Sequence, residues 1–462
     1  MKKAKRSLKN QISADLLVKK LLVLSKTRQV CLLDSCGVSH LKSHFLICGI
    51  DPLETFEISH QDPEKTLRFL DEKLETDETF AIFTISYDFG LKLEKITPRK
   101  KSFSHDEPDV FLALFDCLIV HDYNTKETFL LGSENRFCEL EQLLNSANSA
   151  NSTDPTNSTN SRVVSNFTKA EYLEKIEEIK EFIRRGDTYQ TNLTQQFTAD
   201  LPEDLSPQQI FYNLRRDHPA PFASFIQRKD STVISASPER FFKVSSPKSQ
   251  VTGQKISTSP IKGTRPRGKT DQEDTKLKNE LLNSEKDRAE NVMIVDLLRN
   301  DLGRICEFGS VLVEKLCDLE QHPTLFHLVS TVSGNLRENT KFSDIIRAVF
   351  PCGSITGAPK IRTMQIIDEL ETDTRGLSMG AIGFSNPKSQ VPSPKSKNFN
   401  KTWESGLETW DLSVAIRTMT VKNHKAVFNV GGGIVIDSNP EDEYEETLTK
   451  AKALLKSING TL

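Results

Sequence analysis

The apolar residues after position 165 recur at spacings that predict a helix and then a strand. Thr168 and Glu171 form a capping box, and the apolar residues that follow keep helical spacing until Gly186. The next segment, TYQTNLTQQF, alternates in the manner of a strand. One face of that strand carries polar side chains, namely Gln190, Asn192, Thr194 and Gln196. The pattern alone favours a face exposed to water, and the face becomes a candidate site only if it lines a pocket.

Four apolar runs in the N-terminal region predict strands, and a polar stretch between them predicts a helix. The runs are residues 30–33, 45–50, 80–85 and 111–120, and residues 63–75 are compatible with a helix. This order of elements favours an α+β arrangement over regular βαβ alternation.

Polar segments predict where the chain divides. Residues 145–161 are a low-complexity run of Asn, Ser and Thr, which is typical of a flexible linker. Two segments that share the tetrapeptide PKSQ, at 245–250 and 386–397, predict surface loops. We therefore expect an N-terminal α+β region at 1–144, a linker at 145–162 and a C-terminal domain at 163–462.

The bulk properties of the chain exclude several classes of partner. The 462 residues carry a net charge of −3, which gives no general attraction to nucleic acid or to an anionic membrane. No apolar stretch approaches the ~20 residues that a membrane span needs. The eight cysteines include no CxxC pair, so we expect a cytoplasmic protein with reduced thiols. An anionic substrate would need local help from a metal ion, an arginine or backbone N–H groups.

Two predicted helices carry acids that together suit a hard cation. Glu290 lies on an otherwise apolar helix face, and Glu443 and Glu446 share a face at the start of the last helix. Taken separately, Glu290 fits the wet edge of its helix, and the other two fit partners of a helix dipole. Taken together, the three acids fit Mg²⁺, which prefers a few carboxylates plus water and substrate oxygens.

Three further segments are candidates for holding an anion. In PCGSITGAPK, Ser354 and Thr356 lie in a loop that feeds a helix N-terminus, where backbone N–H groups can cradle an anion. FNVGGGIVIDS places three glycines inside a predicted strand, which weakens it unless something approaches the backbone closely. Arg417 is predicted in an apolar strand, where its guanidinium suits a carboxylate. None of these segments has the spacing of a nucleotide-binding loop.

The segment SPIKGTRPRG holds a candidate nucleophile. Pro and Gly residues bound a predicted turn around Lys262, with Thr264 and Arg265 beside it. A lysine among cations and partly buried is able to act as a free amine toward an electrophilic carbon. A lysine in a turn is more commonly a solvated surface residue, so the pattern leaves both interpretations open.

The order of these motifs resembles one family, the chorismate-utilising enzymes. The resemblance covers residues 165–456 and is carried by ISASPERFF, SPIKGTRPRG, SEKDRAENVMIVDLLRNDLGRI, HLVSTVSG, GSITGAPKIRTMQIIDELE, GAIGF, AIRTM and GGGIVIDSNPEDEYEET. The family includes anthranilate synthase component I, aminodeoxychorismate synthase component I, isochorismate synthase and salicylate synthase. The resemblance implies an α+β fold of two orthogonally packed antiparallel β-sheets flanked by helices, with the active site in a cleft.

Two positions distinguish the members of that family. Members that add water carry a lysine where this chain has Gln190, and the aminating members carry glutamine. Anthranilate synthases have PIAGT where this chain has PIKGT, and the lysine form is characteristic of aminodeoxychorismate synthases. Lys262 therefore implies amination of chorismate to 4-amino-4-deoxychorismate, the precursor of 4-aminobenzoate and folate. The alternative is anthranilate synthase component I, which gives anthranilate and pyruvate.

The resemblance also implies a role for each candidate residue. Lys262 would attack C2 of chorismate, and Glu239 would assist loss of the 4-hydroxyl. Glu290 and Glu446 would bind Mg²⁺, with Glu443 close by. Polar and glycine residues would hold the substrate, namely Gln190, Thr264, His327, Ser354, Thr356, Arg417, Gly431, Gly432, Gly433 and Lys450.

The source of ammonia is predicted to be a second protein. Enzymes of this kind take ammonia from a glutamine amidotransferase, and none of the eight cysteines lies in the G-x-C-x-G elbow of such an enzyme. We therefore expect a glutamine amidotransferase subunit as partner. A different class of function, an inactive subunit that senses chorismate or an amino acid through the LLDSCG region, predicts loss of a catalytic residue. Glu239, Lys262, Glu290 and Glu446 are all present.

Overall fold

The computed structural model describes residues 3–38, 43–76, 78–99, 107–147, 160–245, 253–321, 325–386, 407 and 409–461. Most of the predicted linker and of the two predicted PKSQ loops lies outside these residues. In the described part of the chain, no helix is long and apolar enough to cross a membrane.

Eleven α-helices are found in the described residues, several of them beginning where the sequence predicted. The capping box of Thr168 and Glu171 is formed, Ser284 caps the helix that carries Glu290, and Asn439 caps the last helix. The helices are α1 (Ala14–Leu24), α2 (Pro63–Leu74), α3 (Tyr87–Leu93), α4 (Glu134–Ser146), α5 (Lys169–Arg184), α6 (Pro207–Asp217), α7 (Asp271–Leu282), α8 (Glu285–Gly303), α9 (Phe342–Val349), α10 (Lys360–Leu370) and α11 (Pro440–Ser457).

The strands are numbered in chain order. They are β1 (Lys3–Ser7), β2 (Val30–Asp34), β3 (Phe45–Ile50), β4 (Glu54–Ile58), β5 (Phe80–Ile85), β6 (Val110–Phe115), β7 (Cys117–Asp122), β8 (Glu127–Ser133), β9 (Ser161–Ser165), β10 (Gln190–Asp200), β11 (Phe222–Gln227), β12 (Thr232–Ser237), β13 (Arg240–Ser245), β14 (Lys255–Thr258), β15 (Ile261–Pro266), β16 (Leu312–Gln321), β17 (Leu325–Asn335), β18 (Gly357–Ala358), β19 (Ala381–Ser385), β20 (Trp410–Val414), β21 (Thr418–Lys422), β22 (Lys425–Ile434) and β23 (Gly460–Thr461).

These strands form two sheets, which confirms the predicted α+β class. The first sheet has the order β1-β8-β7-β3-β2-β11-β12-β21-β22-β10-β9-β23, with β18 beside β10. The second has the order β15-β17-β14-β13-β20-β19-β5-β6-β4, with β16 beside β17. Among the described pairings, all are antiparallel except β9 with β23. Strands from the N-terminal 144 residues extend both sheets, through β2 on β11 and through β5 on β19.

The apolar run at 111–120, predicted as one strand, is two strands in different sheets. β6 pairs with β4 and β5 in the second sheet, whereas β7 pairs with β3 and β8 in the first. The chain changes sheets at Asp116, whose carbonyl oxygen accepts from the Ser133 N–H at 2.9 Å. Both strands are buried on both faces, so the apolar pattern continues across the break and conceals it.

Candidate active site

The candidate residues lie on neighbouring elements of both sheets. In the first sheet β10 pairs with β22, with Asn192 opposite Gly433. In the second sheet β15 pairs with β17, with Thr264 opposite His327. Helix α8 packs against β15 and β17, and α11 packs against β22. The acids of both helices are thereby brought to the strands that carry the other candidate residues.

The polar face of β10 is buried, although its pattern favoured exposure to water. Gln190 is 2% exposed and Asn192 is 8% exposed. The Gln190 side-chain N–H donates to Glu290 Oε2 at 3.4 Å. Within the described residues, Gln190 Oε1 and Asn192 Oδ1 have no hydrogen-bond partner. Because buried polar atoms are nearly always satisfied, these two oxygens are acceptors for a bound molecule or for water.

Lys262 lies in a strand, where the sequence predicted a turn. The prolines that suggested the turn lie at the two ends of β15. The glycine forms a bulge in that strand, with Gly263 at φ +77 between Lys262 and Thr264. A Cβ on Gly263 would lie 3.0 Å from the side chain of Asp287, so the bulge has little room for a side chain at this position. The Lys262 side chain is 13% exposed, and its Nζ is 3.9 Å from Glu290 Oε2. The predicted nucleophile is therefore held inside the structure, and it is not a solvated surface lysine.

Glu239 is a buried acid that contacts the loop before β18. The Ser354 hydroxyl donates to Glu239 Oε1 at 2.8 Å. Burial raises the pKa of Glu239 to about 7, against the opposing effects of the Ser354 hydrogen bond and the charge of Lys262. A carboxyl group with this pKa is partly protonated near neutral pH and can give a proton to a leaving oxygen.

Each of the three candidate metal-binding glutamates is paired with a lysine. The Nζ–Oε distances are 3.9 Å for Lys262–Glu290, 3.0 Å for Lys286–Glu443 and 2.9 Å for Lys450–Glu446. Burial raises the pKa of Glu290, while Lys262 and Lys286 oppose the shift. Burial also opposes ionisation of Glu446, but Lys450, Lys286 and Lys262 outweigh it and hold the pKa of that carboxyl below its ordinary value. The six charges therefore interact with one another.

The donor atoms of this cluster suit a hard divalent cation. They are carboxylate oxygens, the ligands that Mg²⁺ prefers. Both charged groups lie close to the backbone of Gly432, since a Cβ there would lie 3.3 Å from Glu443 Oε2 and 3.6 Å from Lys450 Nζ. Over the residues that the structure describes, no three His, Cys, Asp or Glu side chains surround a single point at which an ion would bind. In the described conformation each of the three carboxylates is paired with a lysine instead.

The three glycines of β22 are explained by close approach of neighbouring groups. A Cβ on Gly433 would lie 2.0 Å from Gln190 Nε2, and one on Gly431 would lie 1.9 Å from the carbonyl oxygen of Leu193. Lys450 Nζ donates to the Gly431 carbonyl at 2.9 Å. The glycines in the sequence indicated a close approach to this backbone, and residues of the neighbouring strand β10 make part of that approach.

Two candidate hydroxyls have partners within the protein. Thr264 Oγ1 and His327 Nδ1 are 2.9 Å apart, and His327 is 5% exposed. The Thr356 hydroxyl donates to the Cys352 carbonyl at 3.1 Å and is also 3.3 Å from the Gly353 carbonyl. Thr356 therefore shapes the loop that holds Ser354 next to Glu239.

Arg417 does not lie within a strand, contrary to the prediction. It lies between β20 and β21 with φ +48, and its carbonyl oxygen accepts from the Ala236 N–H at 3.0 Å. That contact holds the chain in a left-handed conformation that a strand does not contain. Burial lowers the pKa of the guanidinium, and no described carboxylate pairs with it. A partly buried guanidinium without an acidic partner suits an anionic ligand.

A cavity lies next to the LLDSCG segment. Its lining includes Asp34 at the end of β2, the following Ser35, and Phe384 of β19 in the second sheet. Asp34 is already paired, because Arg215 Nε lies 2.6 Å from it and the Tyr123 hydroxyl donates to it at 2.7 Å. This cavity shares none of its lining with the candidate catalytic residues.

The sequence of the chain matches a profile described as chorismate binding enzyme over residues 28–392 and 402–456. The chain belongs to the chorismate-binding enzyme family. Aminodeoxychorismate synthase component 1 of Bacillus subtilis (strain 168) is 34% identical over 452 residues, which cover 90% of this chain and 89% of that protein. The protein of the same name from Escherichia coli (strain K12) is 38% identical over 378 residues, covering 82% of this chain and 76% of its own.

Solved structures of the family have the same fold. Anthranilate synthase component I from Streptococcus pneumoniae TIGR4 aligns with a TM-score of 0.74 at 28% identity, covering 90% of this chain and 93% of that one. The menaquinone-specific isochorismate synthase of Escherichia coli aligns with a TM-score of 0.72 at 15% identity, covering 99% and 94%. At the lower identity the likeness concerns the fold alone.

Two residues of the site were not identified from the sequence. In the sequence, Asn192 is one member of a polar stripe and Lys286 is one of several charged residues at the start of a predicted helix. Lys286 lies four residues before Glu290 on α8, a spacing that places both on one helix face. That spacing was the available signal, but the contact of Lys286 with Glu443 joins residues 157 positions apart and is visible only in the structure.

Proposed function

We propose that this chain aminates chorismate at C4 with ammonia from a glutamine amidotransferase subunit, giving 4-amino-4-deoxychorismate. The observation that carries the proposal is the position of Lys262, which is held inside the structure beside Glu290 and interacts electrostatically with the buried Glu239. The similarity to proteins named aminodeoxychorismate synthase component 1 supports the same reaction. The word component in those names supports a partner subunit.

The first half of the reaction forms a bond from Lys262 to the substrate. The free amine of Lys262 attacks C2, the electron pairs of the ring diene shift, and the C4–O bond breaks. Glu239 gives its proton to the departing oxygen, which leaves as water. A pKa near 7 makes Glu239 suitable for this step, because an ordinary glutamic acid would be ionised at neutral pH.

The second half replaces the lysine by nitrogen from ammonia. Ammonia adds at C4, the diene electrons shift back, and the C2–N bond to Lys262 breaks. The nitrogen added at C4 loses one proton, which returns to Glu239, and Lys262 leaves as an amine. Both side chains are then ready for another turnover. The summed change is chorismate plus ammonia giving 4-amino-4-deoxychorismate plus water.

We propose that Glu290 and Glu446 bind Mg²⁺, with Glu443 close by. Bound there, Mg²⁺ would neutralise a carboxylate of the substrate and help to orient it. Since the lysines and glutamates at this site cancel each other in charge, a divalent cation would give the local excess of positive charge that a dianion such as chorismate requires. Arg417 supplies a further positive charge without a carboxylate partner in the described chain.

A related function remains as the alternative. Anthranilate synthase component 1 of Aquifex aeolicus (strain VF5) is 39% identical over 294 residues, which cover 64% of this chain and 54% of that protein. The two reactions share substrate and ammonia, but they differ in the carbon that receives nitrogen. Lys262 favours amination at C4, since attack at C2 by the lysine blocks that carbon while C4 becomes electrophilic.

Product analysis tests the proposed function. The purified chain is incubated with chorismate, Mg²⁺ and ammonium at mildly alkaline pH, where free ammonia is available, and the products are separated. We expect 4-amino-4-deoxychorismate, recognised because an added lyase converts it to 4-aminobenzoate. Anthranilate as the product would establish the alternative, and unchanged chorismate with saturating ammonium would contradict both.

A further inference from the structure

An ion pair between α8 and α11 involves one of the candidate metal-binding glutamates, Glu443. Lys286 lies in the first turn of α8, and Glu443 lies in the first turn of α11. Lys286 Nζ is 3.0 Å from Glu443 Oε1, and the Ser438 hydroxyl donates to the same oxygen at 2.7 Å. That carboxylate oxygen is therefore already bonded to two donors.

The exposure of the two partners is unequal. The Glu443 side chain is 5% exposed, whereas the Lys286 side chain is 49% exposed. The ammonium group interacts electrostatically with Glu443, Glu290 and Glu446 together. Of the two partners, Lys286 is the one with room to move, because a long, half-exposed side chain can turn into water whereas the buried carboxylate cannot.

We propose that Lys286 is a positioning residue that occupies the charge position of the divalent cation and must be displaced when the cation binds. The inference rests on the proposed function, in which these glutamates hold Mg²⁺. In the free protein the ammonium stabilises three neighbouring carboxylates that would otherwise repel one another. On binding, the cation takes over that role, and Lys286 moves into solvent. The cost of displacing Lys286 lowers the affinity for the cation.

A purely structural role for Lys286 makes a different prediction. If the ion pair only fastens α8 to α11, its removal would loosen Glu443 and leave cation binding unchanged or weaker. Under the proposal its removal frees Glu443 and strengthens binding. The direction of the change in cation affinity therefore separates the two roles, and thermal stability does not.

Manganese binding measures this affinity without reference to catalysis. Free Mn²⁺ is titrated against the full chain by electron paramagnetic resonance in the absence of chorismate, with Mg²⁺ as competitor. For Lys286→Met we expect binding about three- to tenfold tighter than in the wild type, the effect of removing one partly exposed opposing charge. Lys286→Arg, which keeps the charge, should bind no tighter than the wild type.

Two controls make the result specific. Lys65→Met removes the same charge from an exposed position on α2 and should leave the Mn²⁺ affinity unchanged. In a Glu443→Gln background, Lys286→Met should tighten binding much less, because the carboxylate that the lysine occupies is gone. Retention of the wild-type circular dichroism spectrum shows that each variant is folded.

The outcomes distinguish failure of this inference from failure of the proposed function. Wild-type binding that is abolished by Glu290→Gln but is not tightened by Lys286→Met overturns the inference and leaves the metal site standing. If neither the wild type nor any variant has a Mn²⁺ site that depends on Glu290, both the inference about Lys286 and the proposed metal site are overturned. Tighter binding in Lys286→Met, with Lys65→Met unchanged, supports the displacement of Lys286.

Discussion

At the scale of single residues, Glu239 connects burial with chemistry. Its pKa is raised to about 7 by burial, so the protonated fraction falls as the pH rises through 7. A group that must donate a proton is active only while protonated. With free ammonia held constant, we expect kcat to decline above pH 7, as measured by steady-state kinetics across pH.

Replacing the acid checks that this decline belongs to Glu239. The amide of Glu239→Gln has similar shape and cannot donate a proton as an acid. We expect kcat to fall about 10²- to 10⁴-fold and its decline above pH 7 to disappear. A variant that keeps the wild-type pH profile would assign the decline to another group.

Ser354 predicts the direction in which the profile can be moved. Its hydroxyl donates to the Glu239 carboxylate and stabilises the ionised form. Removing that donor in Ser354→Ala should raise the pKa of Glu239 and shift the decline in kcat to higher pH. A shift to lower pH would contradict this hydrogen bond.

Sequence motifs identify the candidate catalytic residues, but they do not predict the local backbone and the contacts around those residues. Lys262 and Glu239 were identified as candidates, but the bulge at Gly263 that positions Lys262 was interpreted as a turn. Glycine and proline mark both features, and only strand pairing separates them. Lys286 was missed because its partner on α11 is distant in sequence, and no periodicity reports a contact between two helices.

At the scale of elements, β22 is required to approach β10 closely. In Gly433→Ala the added methyl group would lie 2.0 Å from Gln190 Nε2, and the Gln190 amide would be pushed from its place beside Glu290. We expect at least a tenfold loss of kcat/KM with the fold retained, by analogy with other misplaced site groups. Steady-state kinetics and circular dichroism measure the two effects.

Gly303→Ala is a matched control for that substitution. Gly303 lies at the end of α8, and beyond its chain neighbours and the nearby helix backbone no atom lies within 4 Å of a Cβ placed there. The same added methyl group should leave activity and thermal stability near those of the wild type. Equal loss of activity in both variants would show that Gly433 has no special role.

A buried ion pair joins α8 to α10. Lys360 Nζ is 2.6 Å from Asp301 Oδ2, and their side chains are 9% and 1% exposed. Lys360→Met leaves Asp301 buried without that cation, which costs about 3–5 kcal/mol of the free energy of unfolding. Urea unfolding measures the loss, and Arg299→Met, which removes an exposed ion pair on the same helix, should cost about 0–1 kcal/mol.

Helices and strands could be predicted from the sequence where neighbouring residues mark their ends. The helices that begin at Thr168, Ser284 and Asn439 have side-chain caps and were predicted close to their observed starts. The change of sheet at Asp116 was not predicted. A strand that is buried on both faces is apolar at every position, so its pattern does not change where one strand ends and the next begins. The burial of the β10 amide face was also missed, since an amide stripe has the same pattern in water and in a pocket.

At the scale of the whole molecule, the N-terminal region completes both sheets. β2 extends the first sheet from β11, and β5 extends the second from β19. A fragment of residues 163–462 would expose both strand edges and the apolar surface beneath them. We expect this fragment to unfold without a cooperative transition, as measured by urea titration with circular dichroism. A transition as sharp as that of the full chain would show that the C-terminal domain folds alone.

Amination through a covalent bond between Lys262 and C2 of chorismate leaves an intermediate that intact-protein mass spectrometry can detect. The chain is mixed with chorismate and Mg²⁺ without ammonia, quenched with acid and weighed, and the modified peptide is sequenced. We predict a mass increase equal to chorismate minus water, located on Lys262, absent from Lys262→Ala and lost when ammonium is added before quenching. Formation of 4-amino-4-deoxychorismate by Lys262→Ala at the wild-type rate would contradict a covalent role for Lys262.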